Sequence, residues 1–111
     1  MASDRIALDM RGFILTEMTG PIDDPECDRL RQSFTSHVRS GRRRHVVDLR
    51  PLGVLDTNTL RTLIRALRAV REIGGEVRLV VTDPEMCATL AATGLDHIFP
   101  IYGTVDEAVV A

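Results

Sequence analysis

Two short apolar runs rich in β-branched residues, His45–Leu49 and Glu76–Val81, bracket one long helical stripe. Between them Leu60, Leu63, Ile64, Leu67 and Val70 recur at the three- and four-residue spacing of one helix face, which predicts a helix over about residues 57–73. A strand, a long helix and a second strand in that order call for a crossover between strands running the same way. The flanking segments extend the alternation. Ile6 and Leu8, then Phe13–Met18 after Gly12, read as a hairpin over residues 5–18. Asp24 is the expected N-cap of the next helix, with Pro25 at its first position, Cys27, Leu30, Phe34 and Val38 on its inner face, and Ser40-Gly41 at its end. Asp83-Pro84 starts a helix to about Thr93, and Ile98–Tyr102 is a short strand or extended segment. Thr104-Val105-Asp106-Glu107 reads as a capping box opening a short last helix. The run His45–Leu49 has the pattern of a strand buried on both faces. The expected fold class is α/β: a single open mixed sheet of about 4–5 strands flanked by about four helices.

Composition bounds what such a fold does here. Its 111 residues fit one domain, taken as residues 1–111, and 44% hydrophobic residues with only 4% aromatics require an aliphatic core. No apolar run reaches about 18 residues, so no membrane insertion is expected, and Met1-Ala2-Ser3-Asp4-Arg5 lacks an apolar signal core, which makes the cytoplasm the expected location. A net charge of −2 speaks against a general nucleic-acid binder. All 14 basic residues are arginine. Without lysine the chain has neither a Walker A phosphate loop nor Schiff-base chemistry, and a receiver-type acidic pocket for Mg2+ lacks its lysine too. Cys27 and Cys87 read as reduced thiols, and His37, His45 and His97 share no metal-ligand spacing, so neither metal nor cofactor is expected. No GxSxG, HExxH or Cys/His arrangement points to an enzyme. Arg42-Arg43-Arg44 is either a solvated loop or a contact for an acidic partner or lipid head group.

The stretch that carries functional information runs from Val46 to Leu60. A strand ends in Asp48, a short apolar connector leads to Asp56, and Thr57-Asn58-Thr59 open the long helix. The unpaired N–H groups and the macrodipole of a helix N-terminus favour negative charge, so this place suits a phosphate or a phosphate-driven switch. Asp23, Asp48 and Asp56 are either structural caps and turn formers or acceptors that shape the surface. Farther along the helix, Arg61, Arg65, Arg68 and Glu72 share a stripe away from the apolar one. That stripe is either a solvated face with an Arg68–Glu72 pair or part of a docking surface for partner carboxylates.

The order of these motifs resembles the STAS domain of anti-sigma-factor antagonists across about Gly12 to Val110. Gly20-Pro21-Ile22-Asp23 is similar to the family's turn before its first helix, and Val46-Val47-Asp48-Leu49 to its central strand. Asp56-Thr57-Asn58-Thr59-Leu60 stands where the family often has Asp-Ser-Ser-Gly-Leu, and Gly74–Val80, Thr93–Asp96 and Phe99–Tyr102 resemble its C-terminal half. The resemblance implies partner switching. An antagonist binds an anti-sigma factor, often a serine kinase of the GHKL ATPase type, and is released when the second serine of its motif is phosphorylated. It implies Asp56, Thr57, Asn58 and Thr59 as the switch, with Asp23 in the matching turn, and the stripe read as a docking surface adds Arg61 and Arg65 as partner-binding residues. Asn58 occupies the acceptor position and has no hydroxyl. Three readings follow: Thr57 or Thr59 is a displaced phosphoacceptor, the switch is absent, or these residues only cap the helix. A second system with the same fold is a STAS subunit regulating the ATPase of a lipid-transporting ABC complex.

Overall fold

The structure, a computed structural model, describes residues 7–10, 12–19, 23–52 and 57–110. Strands β1 (Ala7–Met10) and β2 (Phe13–Glu17) form the expected antiparallel hairpin, with Met10 opposite Phe13. Gly12 at φ 86° supplies the left-handed backbone that so tight a corner requires. The chain then crosses through α1 (Asp24–Arg39) to β3 (Arg44–Asp48), and through a 3-10 turn (Arg50–Leu52) and α2 (Thr57–Glu72) to β4 (Glu76–Val80). Helix α3 (Pro84–Ala92) and a second 3-10 turn (Leu95–His97) lead to β5 (Ile101–Tyr102), and α4 (Val105–Val110) follows. The strands lie in the order β1-β2-β3-β4-β5, parallel from β2 onward. This is the mixed α/β sheet that the alternation predicts.

Strand alternation divides the apolar residues between two faces. On one face Val47, Leu49, Val77 and Leu79 pack beneath Phe34 of α1, Leu63 and Leu67 of α2, and Leu90 of α3. The other face carries Phe13, Leu15, Val46 and Val80 under Ala108 and Val109 of the short α4. Because α4 is small, arginine completes that cover. Arg44 and Arg78 place their guanidinium carbons 4.2 and 4.7 Å from the centre of the Phe13 ring. Arg78 also donates from Nη1 to the Ala108 carbonyl at 2.6 Å, satisfying an acceptor near the end of α4. Arg44, expected in a charged loop, therefore opens β3. Gly75 has a different constraint: a Cβ there would lie 2.4 Å from Val70 Cγ1 and 2.9 Å from the Val70 carbonyl, so only glycine lets β4 start so close to α2.

Three helix starts differ from expectation in instructive ways. The N-cap of α1 is Asp23, not Asp24; its Oδ1 accepts from the Glu26 N–H at 2.9 Å. Pro25 has no N–H to offer, so the third helical N–H is the one left for the cap to take. Asp83 precedes α3 but makes no side-chain cap bond; only its carbonyl is used, by Cys87 N–H. At α4 the Thr104 hydroxyl accepts from Glu107 N–H as a capping box requires. The Glu107 carboxylate accepts in return from Gly103 N–H, one residue earlier than the usual partner.

His45 is a polar group placed wholly inside, at 0% exposure. Its ring lies 5.0 Å from that of Phe34 and meets His37 edge-on at 6.1 Å. Nε2 lies 3.1 Å from the Arg42 carbonyl, an acceptor, so this nitrogen carries the hydrogen; Nδ1 is buried with no hydrogen-bond partner. Burial first, and the nearby His37 second, push the imidazole pKa down to about 4.

Candidate functional site at the carboxyl edge of the sheet

In the parallel part of the sheet Glu17, Asp48 and Val80 stand level in the register, so the loops leaving β2 and β3 emerge along one edge. Carboxyl ends of parallel strands are where open α/β sheets present their binding loops. Helices α1 and α2 both begin at this edge and pack side by side. Asp23 stands exposed at the start of α1, and Thr57 exposed at the start of α2. Residues 20–22 and 53–56, Asp56 among them, lie outside the described residues, as do the side chains of Cys27, Asn58 and Thr59.

Beneath the edge Asp48 is 1% exposed and holds the exit from β3 in place. Its Oδ1 accepts from Arg50 N–H at 3.0 Å and from Arg50 Nε at 2.9 Å, and Oδ2 accepts from Nη2 at 2.8 Å. The first bond is the local i to i+2 pattern by which aspartate turns a chain. The other two make a bidentate ion pair of fixed geometry. The hydrogen bond to Asp48 raises the Arg50 pKa further, so the guanidinium stays charged. Asp48 thus accepts from a loop N–H as expected; its partner Arg50 was not anticipated, although the Asp-x-Arg spacing across a turn is the signal that marks it.

The arginine stripe lies on the outer surface of α2. Arg61, Arg65, Arg68 and Arg71 are exposed, and among the described residues none of them has a hydrogen bond or an ion pair. The expected Arg68–Glu72 pair is not formed. Instead Arg61, Arg65, Arg68 and Glu72 line an open groove of about 500 Å3 with Arg31 of α1, over Ile64 and Ala69. Arg31 escapes a reading based on one helix at a time, because it belongs to a different element. Among the described residues, no three His, Cys, Asp or Glu side chains converge as a metal site requires.

Such an edge, with two adjacent helix starts over an ion-paired strand exit, defines a small α/β module that presents loops and one helix face outward. A STAS domain family model matches residues 7–108, and the chain belongs to the STAS domain family. An anti-sigma F factor antagonist of Paenibacillus polymyxa is 25% identical over 93 residues, covering 83% of this chain and 80% of that one. A solved anti-sigma factor antagonist from Mycobacterium paratuberculosis superposes with a TM-score of 0.73 at 26% identity, covering 95% of this chain and 89% of that one. The phosphorylated form of the Bacillus cell fate determinant SpoIIAA shares the fold, with a TM-score of 0.67 at 16% identity over 95% of this chain and 96% of that one. No helix among the described residues is long and apolar enough to cross a membrane.

Proposed function

We propose that this protein is a cytoplasmic anti-sigma-factor antagonist that carries out the docking step of partner switching, without phosphate-driven release at residue 58. It docks an anti-sigma factor of the GHKL kinase type through the loop at Asp56 and the first turns of α2. The observation that carries the reading is the start of α2 at the sheet edge, beside the capped start of α1, with Thr57 exposed and Arg61 and Arg65 unpaired. The antagonist names of its relatives favour this reading over a transporter-ATPase subunit.

Control by phosphate at the third residue of the motif is excluded by chemistry, since the Asn58 amide has no hydroxyl to phosphorylate. In a switching antagonist a phosphate adds about −1.5 to −2 charges at a helix N-terminus. The free helix tolerates that charge, whereas a docked interface must desolvate it without a counter-charge. Here the protein binds its partner constitutively or under another control.

Two measurements test this. In calorimetry against the cognate anti-sigma factor, Asn58→Asp is expected to keep its fold and lose roughly tenfold or more in affinity, since about 1.4 kcal/mol of unpaired charge at the interface suffices for that. Equal affinity for both forms would place the interface elsewhere. Incubation with the cognate kinase and ATP is expected to leave the intact mass unchanged. A stoichiometric phosphate on Thr57 or Thr59 would instead establish a displaced acceptor and overturn the constitutive reading.

A further inference from the structure

The groove between α1 and α2 runs along α2 toward its C-terminal end. Arg68 and Glu72 line it and also border an adjoining hollow with Arg71 and Ile98, beside the second 3-10 turn. Sharing Arg68 and Glu72, the two form one channel along α2, with Arg31 of α1 along one side. From Arg61 to Arg71 it spans about 15 Å at 1.5 Å per helical residue. Among the described residues five arginines face it and Glu72 is its one acid. Arg31 is tied to Asp28 at 3.1 Å; the four on α2 have no partner among the described residues. With a chain charge of −2, so basic a face leaves the remaining surface net acidic. The floor is apolar, with Ile64, Ala69 and Ile98, and Ile73 at the end of α2 is 44% exposed.

We infer that this channel takes an acidic amphipathic helix of a protein partner, with carboxylates on the arginine rows and apolar residues on the Ile64–Ile98 floor. The inference rests on the reading of α2 as the partner-facing helix and adds the chemistry of what it meets. Charge complementarity selects an acidic ligand. Arg61, Arg65 and Arg68 repeat at the four- and three-residue spacing that a facing helix presents in its own side chains. A nucleic acid fits less well: among the described residues no aromatic side chain lines the channel to stack a base, and phosphates gain nothing from an aliphatic floor.

The test uses the full chain and a fluorescein-labelled helical peptide of about 16 residues, as long as α2, with Glu on one face and Leu on the other. Anisotropy is expected to report binding that falls at least tenfold in Arg68→Glu/Arg71→Glu and in Arg31→Glu, with unchanged circular-dichroism melts. It should weaken between about 0.05 and 0.5 M NaCl as charges are screened. A peptide with Lys for Glu should not bind, and one with Ser for Leu should bind at least tenfold more weakly. Absent binding, equal binding of the Ser peptide, or heparin competing as well as the Glu peptide overturns the inference; so does indifference to Arg31→Glu. The docking reading fails separately. If the peptide binds but the anti-sigma factor does not, that reading is wrong and the channel serves another partner. If the anti-sigma factor binds and is lost in Arg61→Glu/Arg65→Glu but not in Arg68→Glu/Arg71→Glu, docking stands and the acidic-helix channel is rejected.

Discussion

Lowering the pH from 7 to 4 is expected to remove about 3 kcal/mol of stability through one side chain, His45, since each unit of pKa shift is worth about 1.36 kcal/mol. The folded imidazole has its pKa lowered from 6.5 to about 4, chiefly because it is buried and next because His37 adds positive charge. Protonation would put an N–H on Nδ1, which has no acceptor. Above the unfolded value both states are neutral and the full stability is present. As the pH falls through 6.5 the unfolded chain binds a proton that the folded chain refuses, and stability declines until about pH 4, where both are charged. Urea titrations at intervals between pH 7 and 4, on the parent and on His45→Phe, measure this. The variant should lose the slope due to one proton while carboxylate contributions common to both remain. Identical pH slopes would show that His45 titrates normally in the folded protein.

Arg50→Ala is expected to cost about 2 kcal/mol, below the roughly 3–5 kcal/mol for breaking a fully buried pair. The discount follows from the exposure of its partners: the Arg50 side chain is 39% exposed and Asp48 only 1%, so the pair is half-solvated. What the substitution leaves behind is the costly part. The Asp48 carboxylate keeps only the backbone N–H of residue 50, and in the register it stands next to Glu17, another acid. Asp48→Asn combined with Arg50→Ala should therefore lose less than the two single changes added together, because the stranded charge is gone. Strict additivity in chemical denaturation would mean that the ion pair contributes nothing. A loss under about 0.5 kcal/mol for Arg50→Ala would place it among ordinary surface substitutions.

Much of the architecture was legible in the sequence. The stripe of Leu60, Leu63, Leu67 and Val70 is buried along α2 as the spacing predicts, and His45–Asp48 is buried throughout, as a central strand between parallel neighbours must be. These features are local periodicities, and an interior that excludes water reads them directly. The cap of α1 is Asp23 rather than Asp24: two adjacent aspartates offer the same capping chemistry, and Pro25 suits either start because a proline in the first helical turn gives up no intrahelical bond. Arg50 carries a sequence signal in the Asp-x-Arg spacing, but the strength of its pair with Asp48 follows from one carboxylate 1% exposed and one guanidinium 39% exposed, which packing alone sets.

The sequence by itself determined the alternating α/β order, the apolar faces, the absence of a hydroxyl at Asn58 and the all-arginine basic side, because each depends on residue identity or on spacing along one element. Tertiary structure alone decided which elements meet. It set His45 against Phe34 and His37, spread Arg44 and Arg78 over Phe13, and brought Arg31 of α1 across from Arg61, Arg65 and Arg68 of α2. Those neighbours lie on different segments. Their proximity comes from how helices pack on a twisted sheet, and with it come the desolvation and charge crowding that give the same side chains different chemistry.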